Sequence, residues 1–409
     1  MYNMNENTSW EVISVFEIVG RYNRATVYAE MVDKDSFAQI LRMCNNEKLK
    51  GSRIRMMPDT HASAGCTVGT SLTFDDRVNP SFVGDDIGCG MQVYELADRN
   101  IDFAELDRTI RESIPSGPRI FDHAISQIKN VPLDSLHCFD FIRYDTVKRS
   151  FGTLGGGNHF IEVDKAADGR LYLVIHSGSR RLGRDVAGFH NAAAFFCACG
   201  IDPKEAARKK LRPGEIKSGC SLGECFLSGG LLEEYLNDMK IAVNYAAESR
   251  KAMGETIISK MNLHPVSSFA TIHNYIDTEN KILRKGAVSA QAGETIIIPI
   301  NMKDGALICR GRGNVDWNYT ASHGSGRVLR RSEAKELITL DEFKAEMEGV
   351  FTTSVNESTI DESPMAYRRV DEILNTINPT AEVVERILPV YNFKASRPVT
   401  DEDTMDGED

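Results

Sequence analysis

The stretch Val83-Gly-Asp-Asp-Ile-Gly-Cys-Gly-Met91 sets two carboxylates and a thiol, Asp85, Asp86 and Cys89, among Gly84, Gly88 and Gly90. Glycine admits positive φ, so the chain can turn tightly here and bring Asp86 and Cys89 to one inward-facing point. A carboxylate oxygen and a thiolate sulfur three residues apart suit a divalent ion of borderline softness, such as manganese, zinc or iron. A tight turn with a buried cysteine and a capping aspartate accounts for the same residues about equally well. Three later histidine-bearing segments in Gly-rich, polar surroundings shift the balance toward a metal centre.

The first is Gly152-Thr-Leu-Gly-Gly-Gly-Asn-His-Phe-Ile-Glu-Val163. Consecutive glycines expose backbone N–H groups to a guest, commonly a phosphate. Asn158, His159 and Glu162 then enter an expected strand. In the second, Leu171-Tyr-Leu-Val-Ile-His176 reads as a buried strand delivering His176 to its end, followed by Ser177-Gly-Ser-Arg-Arg181. In the third, Phe269-Ala-Thr-Ile-His-Asn-Tyr-Ile276 reads as a strand presenting His273 and Asn274. A fourth histidine, His323, lies in Thr320-Ala-Ser-His-Gly-Ser-Gly-Arg327, with Arg330 and Arg331 just beyond. The glycines flanking Ser325 are expected to leave His323 open to attack. Each of these histidines also has a plain reading as a satisfied core or turn residue.

The 409 residues carry 42% hydrophobic and 26% charged residues, the composition of a globular protein. The first residues have neither a basic region nor an apolar run, so no secretory leader is expected, and no segment has the apolar length of a membrane span. The nine cysteines form no C-x-x-C pair and read as reduced thiols of a cytoplasmic protein. The net charge of −11 speaks superficially against nucleic acid, but residues 401–409 alone hold six acids and no base. Local basic clusters matter more than the total.

The coarse pattern is α+β: one large mixed domain over residues 1–395, central sheets flanked by helices, a metal site in a central cleft, and a disordered acidic tail over 396–409. Residues 11–31 read as two strands and 33–48 as a helix. A strand ends at Pro58, before a loop holding Asp59 and His61. Residues 101–150 read as mostly helical, with His123 and His137 structural or on the surface. Residues 184–199 and 229–260 read as helices, with 203–230 between them a surface excursion that leaves Cys220 and Cys225 as bystanders. The apolar runs at 269–276, 282–287, 295–299 and 306–309 read as strands of one sheet. From residue 331 onward the chain reads as helical.

Asp86, Cys89, His159, His176 and His273 supply five ligands of mixed hardness, enough for two ions if the thiolate bridges. Such a pair stabilises charge on the attacking and leaving oxygens of a phosphoryl displacement. His323 is then surplus as a ligand, and a neutral imidazole is a competent nucleophile toward phosphorus. The glycine loops with Arg180, Arg181 and Arg327 are expected to hold phosphates. This chemistry points to a metal-dependent phosphoryl or nucleotidyl transferase without naming its substrate.

The motifs, taken together, resemble the RtcB RNA-splicing ligases over about residues 50–395. They are Met57-Pro-Asp-Thr-His61, Gly84-x-Asp-Ile-Gly-Cys-Gly90, Gly155-x-Gly-Asn-His-Phe-Ile-Glu162, His176-Ser-Gly-Ser-Arg180, His273-Asn-Tyr275, Arg284-Lys-Gly-Ala287, Ser322-His-Gly-x-Gly-Arg327 and Pro364-Met-Ala-Tyr367, in that order. The resemblance implies GTP- and Mn²⁺-dependent joining of an RNA 3′-phosphate or 2′,3′-cyclic phosphate end to a 5′-hydroxyl end. It implies two Mn²⁺ ions, one held by Asp86, Cys89 and His159 and the other by Cys89, His176 and His273. It makes His323 the residue that takes GMP and Asp59 the group that orients it. The GTP site is implied to include Asn158, His159, Phe160, Ile161, Glu162, His273, Asn274, Pro299, Ile300, Asn301, Met302, His323, Gly324, Ser325, Gly326, Tyr367 and Lys394. The expected partners are RNA and GTP, with no membrane, and the chain is expected to act as a monomer.

The sequence departs from many members of the family in three places. Pro299-Ile-Asn-Met-Lys303 stands where they read Pro-Gly-Ser-Met-Gly, Ala306 stands where they have serine, and residues follow Lys394 where they nearly end. Two other activities fit the same residues: an enzyme that leaves a guanylyl cap on an RNA 3′-phosphate, and a catalytically inactive metal-binding protein of an RNA-processing assembly.

Overall fold

A computed structural model describes residues 15–217 and 219–395. The parts of the expected first strand before residue 15, and the expected disordered tail, lie outside the described residues. Two large sheets dominate. One has six strands in the order Phe16–Val19, Arg24–Val27, Ile54–His61, Val68–Thr73, Ile282–Lys285 and Asn274–Asp277. The other has seven, in the order Pro265–Ile272, Gly90–Leu96, Leu171–Ser177, Phe160–Lys165, Ala381–Lys394, Gly305–Gly311 and Thr295–Asn301. Neighbours pair antiparallel except Arg24–Val27 beside Ile54–His61.

The expected single strand through His273 is in fact two strands. Pro265–Ile272 edges the seven-stranded sheet and Asn274–Asp277 edges the six-stranded one, so His273 is the residue at which the chain passes between sheets. Its N–H donates to the Cys89 carbonyl at 2.9 Å, and its own carbonyl accepts from Ala287 N–H at 3.2 Å. The runs at 282–287, 295–299 and 306–309 likewise divide between sheets instead of sharing one. Each apolar run satisfied a strand pattern, but a run does not say which edge it joins.

Four other expectations change. The strand Ile54–His61 continues through Pro58, and an irregularity in its pairing between Met56 and His61 carries Asp59 within a strand and not a loop. In residues 101–150 only Phe103–Ser113 and Tyr144–Ser150 are α-helical; between them lie irregular chain and short 3₁₀ turns. The excursion at 203–230 buries Ala206, Cys225 and Leu227 in the main apolar core. After three helices beyond residue 331, the chain ends its described part in a strand of 14 residues, Ala381–Lys394. Pro389 sits there at a register shift, where a missing N–H is tolerated.

Strand alternation decides which residues reach the cleft. In Phe160–Lys165, Ile161 and Val163 enter a core with Leu173, Ile175, Tyr391 and Phe393. Phe160 faces the opposite way, with Met91, Val93 and Val174, and Glu162 shares that side by its period of two. Behind the sheet, the 32-residue helix Gly229–Lys260 packs across Gly90–Leu96 and Leu171–Ser177.

Candidate active site

The five expected ligands meet at one place. Cys89, His176 and His273 offer ligand atoms within 4.8 Å of one another, and so do Asp86, Cys89 and His159, so that Cys89 belongs to both groups. Cys89 Sγ lies 3.4 Å from His159 Nε2 and 3.3 Å from His176 Nε2, and the Nε2 atoms of His176 and His273 are 3.4 Å apart. Asp86 Oδ2 is 3.2 Å from His159 Nε2.

The backbone fixes which nitrogens carry hydrogen. His159 Nδ1 faces the Leu154 carbonyl at 3.0 Å, and His176 Nδ1 faces the Asn158 carbonyl at 3.2 Å. A carbonyl only accepts, so both Nδ1 atoms donate and both Nε2 lone pairs point inward. Burial also holds His176 and His273 well below the usual histidine pKa, in the neutral form that binds metal. Inward lone pairs from two imidazoles, a sulfur and a carboxylate repel one another unless a cation sits among them. The residues therefore fit a divalent ion, and the carbonyls that orient the rings are the usual outer support of such a centre.

Local sequence makes this convergence possible. A Cβ on Gly178 would come within 1.8 Å of Asp86 Oδ1, so only glycine lets the turn after His176 pass so close to the carboxylate. Gly155, at φ +88°, would place a Cβ 2.6 Å from His159 Nδ1. Arg250, fully buried on the long helix, donates from one guanidinium nitrogen to the carbonyls of Gly88 and Ser177, at 2.8 and 2.7 Å. It ties together the backbone beside Cys89 and His176. Sequence reading missed it, and a lone arginine on an apolar helix face was the only available signal.

His323 lies beside this cluster, its ring 4.9 Å from that of His273. Its Nδ1 is 2.8 Å from Asp59 Oδ2, and the same oxygen accepts its backbone N–H at 3.2 Å. Asp59 is buried, whereas the His323 side chain keeps 21% exposure. The Asp59 carboxylate thus accepts the Nδ1–H bond and leaves the Nε2 lone pair available.

An open cleft joins these groups. Asp86, Cys89, Asn158, Phe160, Glu162, His176, His273, Asn274, Pro299, Ile300, Asn301, Met302, His323, Gly324, Ser325, Gly326, Tyr367 and Lys394 all line it. His159 stands behind Cys89 and Asp86 without lining the cleft, Asp59 lies behind His323, and Ile161 points into the core. Arg180 and Arg181 do not hold the cleft either. Arg180 donates to Gly117 O and Thr153 Oγ1, and Arg181 pairs with Asp185 at 2.8 Å. Arg327 does line it.

The far wall is a buried charge network that single motifs did not reveal. Glu362 Oε2 accepts from Lys394 Nζ at 2.7 Å and from the Tyr367 hydroxyl at 3.0 Å, and Glu362 also pairs with Arg331 and with Arg327. Lys394, Arg331 and Arg327 together hold its carboxyl far below the usual range despite burial. Glu162, bonded to Asn392, has its pKa pushed up by burial. Lys285 and His61 also line the cleft. In the altered segment, Asn301 Oδ1 accepts the N–H groups of Lys303 and Asp304, forming a turn, and Lys303 Nζ reaches the Glu348 carbonyl. Ala306 is buried in its strand opposite Ile387.

Comparison with known proteins agrees with this geometry. The family described as "tRNA-splicing ligase RtcB" matches residues 42–137 and 141–395. The chain is 28% identical over 379 residues to the RNA-splicing ligase RtcB of Escherichia coli K12, covering 83% of this chain and 90% of that one. It is 26% identical over 428 residues to the tRNA-splicing ligase RtcB of Aeropyrum pernix, covering 82% and 86%. A site whose ligands, histidine and cleft all fall inside the matched segments, in a match spanning most of the chain, leaves one conclusion: the chain belongs to the RtcB family.

Proposed function

We propose that residues 1–395 form one catalytic unit that joins RNA ends, using GTP and two Mn²⁺ ions. The observation that carries this reading is the placement of His323: its Nδ1 is committed to Asp59 and its ring lies 4.9 Å from His273 of the five-ligand cluster, in one cleft. Asp86, Cys89 and His159 would hold one ion, and Cys89, His176 and His273 the other. When bound, the ions would neutralise charge on phosphoryl oxygens as Lewis acids.

In this reading His323 Nε2 attacks the α-phosphorus of GTP, and the bond to pyrophosphate breaks. Asp59 accepts the Nδ1–H bond throughout and stabilises the positive charge that develops on the ring. An oxygen of the RNA 3′-phosphate then displaces the histidine, giving an RNA-3′-pp-5′-G end. Attack by the 5′-hydroxyl forms the phosphodiester and releases GMP. A 2′,3′-cyclic end is opened by water first. Phe160, Asn158, Tyr367 and Lys394 would hold the nucleotide, with the Glu362 network keeping Lys394 in place.

Incubation with an RNA 3′-phosphate strand and a 5′-hydroxyl strand tests the proposal. Joined product that requires both GTP and Mn²⁺ supports it. A 3′-guanylyl-capped strand that never joins would replace it with the capping activity.

A further inference from the structure

An aromatic and basic surface lies on a part of the chain that holds none of the motifs. Residues 138–143 are irregular and lead into the helix Tyr144–Ser150. The family match is interrupted inside this segment, at residues 138–140. Phe141 is 54% exposed and Tyr144 is 43% exposed. Neither ring stands alone. Tyr144 packs 5.3 Å from Phe139, and Phe141 packs 5.6 Å from Phe189 of the helix Arg180–Ala198. Single exposed apolar side chains are ordinary, but a paired set rimmed by charge marks an interaction surface.

The segment is held from beneath. The buried Asp238 carboxylate accepts the N–H groups of His137 and Cys138 at 2.8 and 3.0 Å and faces His190 Nε2 at 2.9 Å. Buried Cys138, His190 and Asp238 thereby form a hydrogen-bonded hub under the surface. Phe141 N–H donates to the Cys138 carbonyl at 2.8 Å, and Arg143 N–H donates to Asp185 Oδ2 at 2.9 Å. Rings carried on backbone fixed in this way lose little freedom when a flat partner stacks on them.

Positive charge continues from the rings toward the cleft. Residues 141–149 carry Arg143, Lys148 and Arg149 against Asp145 alone, in a chain whose total is −11. Lys148 Nζ sits 4.5 Å from the centre of the Tyr144 ring. Arg149 Nε donates to the Phe121 carbonyl at 2.7 Å, and Phe121 N–H donates back to the Arg149 carbonyl at 3.0 Å. Gly117 N–H in turn donates to the Gly155 carbonyl at 2.7 Å. These bonds tie the surface, through residues 117–121 and their exposed Arg119, to the glycine loop that ends at Asn158 of the cleft wall.

We infer that an unpaired RNA strand lies on this surface as it enters the cleft. Its bases stack on Phe141 and Tyr144, and Arg119, Arg143 and Lys148 meet its phosphates. Aromatic faces accept any base and spaced cations follow a backbone, which is the chemistry of sequence-tolerant single-strand binding. The inference rests on the proposed joining of RNA ends and adds how a strand is held beyond its reacting phosphate.

The test uses full-length protein without GTP and two labelled single-stranded RNA oligonucleotides, one with a 3′-phosphate and one with a 5′-hydroxyl end. Fluorescence anisotropy reads their binding. Phe141→Ala and Tyr144→Ala should each weaken binding of at least one strand about 10-fold, whereas Tyr144→Phe, which keeps the ring, should bind like the parent. Lys148→Gln should make the slope of log affinity against log salt shallower by about 0.7. GMP transfer from GTP to the protein should be unchanged in every variant, with circular dichroism confirming the fold. Affinity for both strands unaffected in Phe141→Ala/Tyr144→Ala would overturn the surface. So would a change in association state with RNA affinity preserved, which would make the patch a contact between copies. A parent protein that takes GMP but binds neither strand would overturn this inference and spare the proposed function. Binding through these rings without any joining would instead count against the proposed function alone.

Discussion

Two His–Cys–Asp clusters among the described residues arrange the same three residue types differently. In the cleft, carbonyls fix the rings of His159 and His176 so that lone pairs converge, and the cluster opens onto a solvent-connected cleft. In the helical layer, donors crowd one carboxylate and all three side chains are buried. The contrast teaches that residue identity alone does not mark a metal centre. Direction of lone pairs and access to a cavity do.

The strongest way to break the comparison is at the cleft itself. His323→Ala should abolish GMP transfer to the protein while its metal content stays that of the parent, because His323 is not among the five ligands. Cys89→Ala should instead lose cleft metal and ligation together. Next in size, Asp59→Asn keeps the His323 ring in place but removes its charge partner. The rate of GMP transfer should fall about 10²–10⁴-fold, read by single-turnover kinetics.

Glu362→Gln should cost roughly 3–5 kcal/mol in urea unfolding, because it leaves buried Lys394 and the half-buried Arg331 and Arg327 without their shared anion. The pH dependence follows in sign. The Glu362 pKa is lowered on folding, so its contribution is fully present above the ordinary glutamate value of 4.5 and is lost as pH falls toward the lower folded value. The variant's stability deficit should therefore shrink as the medium is acidified below about pH 4.5. A deficit that grows on acidification would contradict the network.

Arg250→Met should weaken cleft metal binding by about 10–100-fold without touching a ligand, as loss of outer support does. Metal titration by calorimetry checks this. The smallest effect belongs to Ile161→Val, which should cost about 0.5–1.5 kcal/mol of stability and leave GMP transfer unchanged, since that side chain faces the core.

Much of the cleft was legible in the sequence because its candidate ligands sit in short motifs with glycines at fixed offsets. Asp86 and Cys89 share a turn, and Asn158 to Glu162 share a strand entry. Less legible was anything set by non-local pairing. The division of strands at His273 depends on which sheet edge each half meets, and no local pattern encodes that. Ile161 was expected at a GTP site because the motif from Asn158 to Glu162 was carried over whole, although the period of two turns it away from the cleft. Arg180 and Arg181 were assigned to phosphate from charge alone, but the acceptors that engage them, Gly117, Thr153 and Asp185, lie in other stretches. Arg250 and Glu362 act from elements remote in sequence, so their role shows only once the helix and the cleft wall are folded. The cysteine at 138 and the histidine at 190 look ordinary until Asp238 joins them.

The most direct measurement is to load the protein with GTP labelled at the α-phosphate in Mn²⁺, digest it, and map the labelled peptide by mass spectrometry. The account predicts a single acid-labile GMP adduct on His323, absent from His323→Ala. A GMP adduct on any other residue, or none with any divalent ion, would contradict it.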